Sequence, residues 1–443
     1  MIEQPKQLNL PGVPRAKQGR EVPPHWAWTE AEVWTERMLA TLERGIAGGK
    51  WYSLMDKVTK EGTLRRAAQA VIRNQGAAGV DGQTTERLEA QLETTIAFLR
   101  RQLREGRYTP QPVKRQWIPK LGSKELRPLG IPTVRDRVVQ TALVYVLEPI
   151  WERDFAPHSY GFRPGRNAQQ ATARVETLLA QGYLWVVDAD LKGYFDTIPQ
   201  DKLMAAVAAK VADGPVLELI QSYLCQGVME TGKGWTPTER GTPQGAVLSP
   251  LLANLYLDPL DQQMARSGWA MTRYADDFII QCRSQREAET ALAMVRQWVT
   301  EAGLTLHPEK TRIVDASQPG GFDFLGWHFE SGYKWPREKS VKRFKETLRE
   351  ETRRNNGDSL EEIIRRLNRR LKGWAQYFRG GQGKTYATLD SWLRVRLRSI
   401  LRRRTGRKGR GWLDHRKYTI AYFAELGLIS LKASAWAKRA NPA

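Results

Sequence analysis

The sequence predicts an α+β protein in which a mixed body precedes a helical, strongly basic C-terminal quarter. Residues 184–191 and 271–282 are apolar runs of the kind that forms buried strands. Residues 84–105 and 363–378 instead carry apolar side chains every three or four positions, which is the spacing of amphipathic helices. Residues 331–443 contain 30 Lys and Arg against 10 Asp and Glu, whereas residues 1–330 contain 40 against 38. This segregation favours a polyanionic partner for the C-terminal quarter.

The overall composition excludes several classes of protein. With 443 residues the chain is long enough for more than one domain. It contains no run of 18 apolar residues, so no membrane span is predicted, and its first residues lack the apolar core of a secretory signal. Cys225 and Cys282 are the only cysteines, which excludes a disulfide framework and a four-cysteine zinc site. We therefore expect a reducing, cytoplasmic setting.

The elements that precede the first buried strand are mainly helical. Residues 1–45 form an extension whose first twenty or so residues are expected to be disordered, with a short helix near 30–42. Further helices are predicted from Asp56 to about Asn74 and over 84–105. Between Tyr108 and Pro132 the pattern changes to short strands that form a basic hairpin, and 134–150 is an apolar helix.

The two strand-like runs carry acidic residues at their ends. Tyr274-Ala275-Asp276-Asp277-Phe278 places two carboxylates where the run 271–282 would turn. Such charges are costly to bury unless a cation neutralises them, and a hard divalent ion suits carboxylate oxygens, although a solvated turn is the alternative. Asp188 and Asp190 share one face of the other strand. Asp190, Asp276 and Asp277 can thus surround two Mg²⁺ ions, as two-metal phosphoryl transfer requires.

An ordered series of further motifs accompanies these acidic residues. It comprises Ile118-Pro119-Lys120, Arg127-Pro128-Leu129-Gly130-Ile131-Pro132, Ser159-Tyr160-Gly161-Phe162-Arg163-Pro164-Gly165-Arg166, Gly241-Thr242-Pro243-Gln244-Gly245, Leu248-Ser249-Pro250-Leu251-Leu252-Ala253-Asn254, Gly303-Leu304-Thr305-Leu306 with Lys310, and Phe324-Leu325-Gly326-Trp327. The series runs from about Trp51 to the C-terminus. It resembles the reverse transcriptases that bacterial group II introns encode.

The resemblance implies a right-hand polymerase fold and the activity of an RNA-directed DNA polymerase. Fingers and palm would occupy residues 46–335, and a helical thumb with the maturase segment called domain X would occupy 336–411. Residues 412–443 would form a short DNA-binding-like tail with no endonuclease domain after it. Asp190, Asp276 and Asp277 would be the catalytic residues and the ligands of two Mg²⁺ ions, although Asp277 could mainly shape the site.

The resemblance also implies a set of nucleotide-binding residues. Lys120 and Arg127 match the positions that hold the triphosphate of an incoming dNTP, where Arg suits bidentate contacts and Lys acts as a point charge. Gln244 would lie beside the nascent base pair, and Lys310 would also contact the nucleotide. Phe195 matches the aromatic ring that leaves no room for a 2′-hydroxyl, with Tyr194 as a competing candidate.

The basic quarter would bind RNA. Ser359-x-x-Glu362 is typical of a helix start, and Gly373-Trp374-Ala375-Gln376-Tyr377-Phe378 resembles the hallmark of domain X. Basic loops such as Arg407-Lys408-Gly409-Arg410 suit phosphate contacts. The RNA-binding candidates are Arg365, Arg366, Arg369, Arg370, Trp374, Arg402, Arg403 and Arg404.

The expected function is therefore to copy intron RNA into cDNA and to bind the intron RNA so as to assist its splicing and retromobility. The partners would be intron RNA, an RNA template, a DNA primer or target and dNTPs, in a bacterial nucleoid or ribonucleoprotein and without a membrane. Two alternatives stay open. One is a domesticated relative in phage defence, CRISPR adaptation or DNA repair, and the other is an RNA-binding splicing cofactor without polymerase activity.

Overall fold

The structure is a computed structural model that describes residues 24–46, 48–119, 126–406 and 413–436. Its first elements are the helices α1 (Glu36–Arg44), α2 (Met55–Val58), α3 (Glu61–Asn74), α4 (Thr85–Ala90) and α5 (Leu92–Arg104). The side chains of Thr35 and Thr84 cap α1 and α4 by accepting hydrogen bonds from the first turn. The single helix predicted over 84–105 is divided into two, because Gln91 leaves the helical conformation with a φ of −115°.

A mixed segment of strands and helices forms the body of the protein. In chain order it contains β1 (Val113–Pro119), β2 (Leu126–Ile131), α6 (Val134–Glu152), α7 (Ala168–Ala180), β3 (Trp185–Asp190), α8 (Tyr194–Thr197), α9 (Gln200–Ala208), α10 (Gly214–Cys225), β4 (Val228–Glu230), β5 (Gly234–Thr236), α11 (Ser249–Arg266), β6 (Ala270–Tyr274), β7 (Asp277–Cys282), α12 (Gln285–Glu301) and β8 (Arg312–Asp315). The predicted strands at 184–191 and 271–282 correspond to β3 and to the β6–β7 hairpin.

The central sheet has the strand order β6-β7-β3-β8, with every neighbouring pair antiparallel. Alternate residues point to opposite faces, so Val187 and Phe278 join the large core formed with α6, α11 and α12. Val186 and Ile279 face the other way and pack with α7 and the C-terminal elements. The sheet therefore separates two hydrophobic cores, and its acidic ends lie on the second of these faces.

A second sheet lies on the N-terminal side of the body, with the order β2-β1-β4-β5. The sequence predicts the β1–β2 hairpin, but it does not predict the parallel pairing of β1 with β4 or the β4–β5 hairpin. This sheet carries Arg127 on β2, opposite Ile118. Lys120 lies outside the described residues.

The C-terminal elements form a third sheet followed by helices. They are β9 (Phe322–Phe324), β10 (Trp327–Glu330), β11 (Tyr333–Pro336), α13 (Glu338–Glu351), α14 (Leu360–Tyr377), α15 (Gly383–Arg404), α16 (Leu413–Lys417), α17 (Ile420–Glu425) and α18 (Leu431–Trp436). Ser359 caps α14 at the predicted position, accepting a hydrogen bond from the Glu362 N–H at 3.1 Å. The N-terminal residues expected to be disordered and the basic loop 407–410 lie outside the described residues.

The mixed content of helices and strands confirms the predicted α+β class. Among the described residues, no helix combines the length and the apolar character needed to cross a membrane.

Candidate active site

The acidic residues predicted to be catalytic meet at one end of the central sheet. Asp190, the last residue of β3, is the direct cross-strand partner of Asp277, the first residue of β7. Opposed residues on antiparallel strands project from the same face, so the two carboxylates are neighbours. Asp276 precedes Asp277 in the two-residue turn between β6 and β7, where Ala275 has a φ of 59°. The structure thus brings Asp190, Asp276 and Asp277 together.

Burial, and then the proximity of other carboxylates, makes ionisation of Asp276 and Asp277 unfavourable. Burial raises the pKa of Asp277 to about 7, and the charges of Asp188, Asp276 and Asp190 add to the rise. Burial also raises the pKa of Asp276, with a contribution from Asp190, while Arg127 and Arg273 oppose it. A region that favours protonated carboxylates in the absence of a cation is one that a bound cation stabilises.

Two basic side chains of the segment around β8 already approach the acidic cluster. The Lys310 Nζ lies 2.7 Å from the Asp190 Oδ2, and the Arg312 Nε lies 3.3 Å from the Asp188 Oδ2. Burial raises the pKa of Asp188, and Arg312 opposes that rise. Lys310, a predicted nucleotide-binding residue, thus lies beside the carboxylates that are predicted to be catalytic.

The loop that contains Gln244 lies between the N-terminal sheet and the acidic cluster. The backbone carbonyl of Gln244 accepts a hydrogen bond from the Gly130 N–H at 2.7 Å, and the side-chain amide of Gln244 donates to the Asp196 Oδ2 at 3.1 Å. Burial raises the pKa of Asp196, whereas Arg115 and Arg127 lower it. Arg127, Asp196 and Gln244 therefore share one region, as a nucleotide-binding role for Arg127 and Gln244 requires.

Gln140 holds the same loop from the inside of the protein. It is fully buried on α6, and its Oε1 accepts hydrogen bonds from the N–H groups of Val247 at 2.8 Å and Leu248 at 3.3 Å. These groups lie just before α11, so Gln140 is the acceptor for the last two N–H groups of the loop before the helix begins. Sequence analysis missed Gln140, because a single amide in an apolar helix gives no indication of its partner.

Phe195 and Tyr194 have different environments. Tyr194 is 2% exposed and donates a hydrogen bond to the Ala253 carbonyl at 2.6 Å, so it belongs to the core. Phe195 is half-buried, and its ring meets the exposed Phe162 edge to face at 6.5 Å. Of the two candidates, Phe195 is the one whose ring a nucleotide could reach. Its role in sugar selection stays a prediction.

A buried polar network lies beneath the turn that carries Asp276. Arg273 on β6 is 1% exposed and forms an ion pair with Asp261 of α11, with both carboxylate oxygens 2.9 Å from its Nε. Its Nη1 donates to the Asn254 Oδ1 at 2.9 Å and to the Ala275 carbonyl at 2.8 Å. Sequence analysis missed these residues, although an Arg within an apolar strand is itself a sign of a buried ion pair.

Comparisons with known proteins identify the family of the chain. The family model described as reverse transcriptase (RNA-dependent DNA polymerase) matches residues 118–329, and the model of the group II intron maturase-specific domain matches 341–418. Protein YkfC of Escherichia coli strain K12 is 34% identical in an alignment 332 residues long, which covers 66% of this chain and 86% of YkfC. The chain belongs to the group II intron-type reverse transcriptases and maturases.

Two further relatives match smaller portions. The group II intron-encoded protein LtrA of Lactococcus lactis subsp. cremoris is 41% identical over 170 residues, which cover 38% of this chain and 28% of LtrA. Among solved structures, a chain of a partial Cas6-RT-Cas1–Cas2 complex is 29% identical, covers 56% of this chain and 41% of that chain, and has a TM-score of 0.36.

As a group II intron-type reverse transcriptase, the protein is an RNA-directed DNA polymerase with a maturase domain, and its partners are RNA and DNA. The predicted right-hand polymerase fold is confirmed. We use the word palm for the central sheet and the word fingers for the N-terminal sheet. The predicted domain boundaries at 45/46, 335/336 and 411/412 stay predictions.

Reverse transcriptases use divalent metal ions, and the palm carboxylates fit such an ion. Their oxygens are hard donors, and a bound cation would offset the burial and the neighbouring carboxylates that raise the pKa values of Asp276 and Asp277. In this conformation no three Asp, Glu, His or Cys side chains among the described residues converge into a ready-made metal site. Asp190 is instead paired with Lys310, so binding of an ion must compete with that pair.

Most of the predicted RNA-binding arginines of the maturase segment make contacts within the protein. Arg365 pairs with Glu362, Arg366 pairs with Glu351 and Asp358, Arg370 lies 4.0 Å from Glu351, Arg402 pairs with Asp414, and Arg404 donates to the carbonyls of Asn356 and Asp358. Arg369 and Arg403 are exposed. Contacts with RNA by the paired side chains would have to replace these bonds, and their RNA-binding role stays a prediction.

Trp374 is part of the C-terminal core. Its ring stacks on Phe344 at 4.7 Å with an interplanar angle of 10°, and it also contacts Phe378 and Tyr386. The side chain is half-buried, and these ring contacts show that it contributes to packing. Its contact with RNA stays a prediction.

A different group of cations surrounds Trp392 on α15. Lys345 and Arg349 of α13 and Arg396 of α15 lie 5.5–5.7 Å from the Trp392 ring. Burial lowers the pKa of Arg396, and the like charges of Arg349 and Arg354 lower it further. Within the described part of the chain, Lys345, Arg349 and Arg354 form no ion pair with a carboxylate. We call Lys345, Arg349, Arg354 and Arg396 the α13–α15 cation cluster.

Proposed function

We propose that the protein extends a DNA primer along an RNA template at a two-Mg²⁺ site formed by Asp190, Asp276 and Asp277. The observation that supports this most directly is the opposition of Asp190 and Asp277 beside the Asp276 turn. The ions would favour deprotonation of the primer 3′-hydroxyl and neutralise the departing pyrophosphate. The three carboxylates would hold these ions in the positions that the in-line attack requires.

The surrounding residues would bind and orient the incoming dNTP. Arg127 on β2 acts electrostatically on both Asp196 and Asp276, and this proximity to the acidic cluster supports a contact between Arg127 and the triphosphate. Gln244 would donate a hydrogen bond at the nascent base pair, and Phe195 would form the wall that excludes a 2′-hydroxyl. Lys310 would release Asp190 and pair with the triphosphate.

The Asp276→Asn variant tests the polymerase proposal. We expect primer extension on RNA to fall roughly 10³-fold or more, because an amide replaces a carboxylate ligand of the catalytic ions. Affinity for the RNA–DNA duplex should stay within about twofold, since duplex binding depends mainly on phosphate contacts elsewhere. Asp201→Asn, at an exposed position of α9, serves as the control. Extension by the Asp276 variant within tenfold of the wild type would rule out the proposed site.

We further propose that the C-terminal quarter binds the intron RNA and assists its splicing. The α13–α15 cation cluster supports this proposal, because like charges that lack carboxylate partners are stabilised by phosphate groups. This cluster is a stronger candidate for the RNA contact than Arg365 and Arg366, which are already neutralised within the protein.

Two matched double variants distinguish these surfaces. Lys345→Gln with Arg349→Gln should weaken binding of the RNA transcribed around this reading frame. The slope of log affinity against log salt concentration should become shallower by about 0.7 for each phosphate that the protein no longer neutralises. Splicing in vitro should slow in parallel, with primer extension on a generic template retained. Arg365→Gln with Arg366→Gln is the control, with a smaller effect expected. The reverse order of effects would assign the RNA contact to α14 and contradict the proposal.

A further inference from the structure

The turn that carries Asp276 is in contact with the backbone of the loop 153–167, which connects α6 to α7. A Cβ atom added to Gly161 would lie 2.9 Å from the carbonyl carbon of Tyr274 and 3.0 Å from the Cα of Ala275, and closer still to the Ala275 amide nitrogen. These are backbone atoms, which cannot rotate away as a side chain could. Gly161 is therefore needed for direct contact between its loop and the turn that carries Asp276.

The turn and this loop are also joined through Asn254. The Asn254 side chain is 1% exposed, and its Nδ2 donates to the Gly161 carbonyl at 2.8 Å while its Oδ1 accepts from Arg273. The same Arg273 nitrogen donates to the Ala275 carbonyl within the turn. One amide thus connects the loop to the guanidinium that holds the turn from below.

The loop itself is fixed at several points. Arg163 donates to the carbonyls of Ala156 at 2.6 Å and Ser159 at 2.8 Å, and its guanidinium pairs with Glu152 of α6. The Ala156 N–H donates to Asp258 at 3.0 Å. In addition, the Tyr160 N–H bonds the Arg273 carbonyl at 2.9 Å, as in a short strand. The backbone of the loop is thus bonded to Arg163 within the loop, to α11 and to β6, and Glu152 of α6 holds Arg163 in place.

We infer that Gly161, Asn254 and Arg273 are positioning residues that set the height of the Asp276 turn over the palm. The inference rests on the proposed function, since it concerns the same catalytic carboxylates. None of the three would touch a nucleotide, and each would act through the position of Asp276. A ligand displaced by about 1 Å can lower the rate about 100-fold without a change in substrate binding.

The test is Gly161→Ala, whose methyl group pushes directly on the turn. We expect kcat for primer extension to fall about 10- to 100-fold, with the KM for template–primer within twofold of the wild type. Affinity for Mn²⁺, measured by electron paramagnetic resonance without substrate, should fall several-fold. Gly214→Ala is the matched control, because a Cβ there meets no atom within 4 Å and its φ is not positive. Asn254→Ala should show the same separation of kcat from KM.

The outcomes separate this inference from the proposed function. A wild-type protein that does not extend primers would contradict the proposed function itself. An active wild type together with unchanged kcat and Mn²⁺ affinity in Gly161→Ala and Asn254→Ala would overturn the inference alone. Thermal unfolding is recorded for each variant, and losses of activity that merely follow the loss of folded protein in both variants would overturn it as well.

Discussion

Asp190 and Asp277 are direct cross-strand partners on β3 and β7, with their carboxylates on one face of the palm sheet. The register fixes this arrangement, since a shift of one residue would send Asp277 into the core occupied by Phe278 and Ile280. Burial of the apolar residues of β3 and β7 fixes the register of the strands, and this register keeps the two carboxylates side by side. A cation at this point relieves a repulsion that the fold itself imposes.

Replacement of Lys310 is expected to separate metal binding from nucleotide binding. In Lys310→Met, the ammonium group that lies 2.7 Å from Asp190 is removed, so the Mn²⁺ concentration for half-saturation should fall. The shift should be modest, about two- to fivefold, because the pair is largely exposed to solvent. The KM for dNTP should rise if Lys310 also contacts the triphosphate. Electron paramagnetic resonance and steady-state extension measure the two effects.

A control for this variant is Lys233→Met, which removes an exposed lysine paired with Glu230 in the fingers. Neither the Mn²⁺ concentration for half-saturation nor the KM for dNTP should change in Lys233→Met. An unchanged or weaker Mn²⁺ affinity in Lys310→Met would show that Lys310 does not compete for the metal ligand.

Replacement of Phe195 by Ala is expected to relax sugar selection. With the ring absent, a 2′-hydroxyl can fit, so incorporation of ribonucleotides relative to deoxynucleotides should rise about tenfold or more, a range that removal of one steric barrier can produce. Tyr194→Phe is the control, because its hydroxyl bonds the Ala253 carbonyl within the core. That variant should lose about 1 kcal/mol of stability and keep its sugar selection. Relaxed selection in Tyr194→Phe but not in Phe195→Ala would reverse the assignment.

The acidic site could be predicted from sequence because its pattern is local. Asp276 and Asp277 interrupt an apolar run where β6 ends and β7 begins, and Asp188 and Asp190 follow strand alternation. The short strands β4 and β5 have no comparable pattern of apolar residues in the sequence. β4 and β5 contain three residues each, and β4 pairs with β1 across more than a hundred intervening residues. Such pairing is decided by packing that the local sequence does not contain.

Partners of charged side chains were the other part that sequence could not supply. The composition of the C-terminal quarter predicts a polyanion partner, but it does not distinguish Arg366, which pairs with three acidic residues, from Arg349, which lies among like charges. Arg273 was visible as a charge within an apolar strand, but its bond to the Ala275 carbonyl depends on the shape of the turn. These contacts are set by tertiary geometry.

Replacement of Gln140 by Leu is expected to loosen the Gln244 loop. The variant leaves the Val247 and Leu248 N–H groups without their buried acceptor, at a cost of roughly 1–3 kcal/mol of stability for each such group. Because the Gln244 loop borders the nucleotide site, the KM for dNTP should rise while the affinity for template–primer is retained. Gln169→Leu, at an exposed position of α7, is the control. A KM for dNTP and a dissociation constant for template–primer that rise by the same factor in Gln140→Leu would contradict a local effect on the loop.

Replacement of Glu148 by Gln is expected to stabilise the protein at alkaline pH. Burial raises the pKa of Glu148 from 4.5 to about 8, with a contribution from the nearby charge of Glu152. The folded protein therefore binds this proton more tightly than the unfolded chain does. The contribution of Glu148 to stability is greatest below pH 4.5 and falls as the pH rises to about 8. The loss is at most roughly 5 kcal/mol, at about 1.4 kcal/mol for each pKa unit. Glu148→Gln removes this loss, because an amide does not ionise.

The expected result is a higher Tm for Glu148→Gln than for the wild type at pH 9, with a difference that shrinks towards zero at pH 5. Thermal unfolding followed by circular dichroism at several pH values measures it. Glu89→Gln, at an exposed position of α4, controls for the loss of one negative charge and should show no such pH dependence. A stability difference between wild type and Glu148→Gln that is constant from pH 5 to 9 would mean that Glu148 is ionised throughout, with a pKa close to that of an exposed carboxyl group.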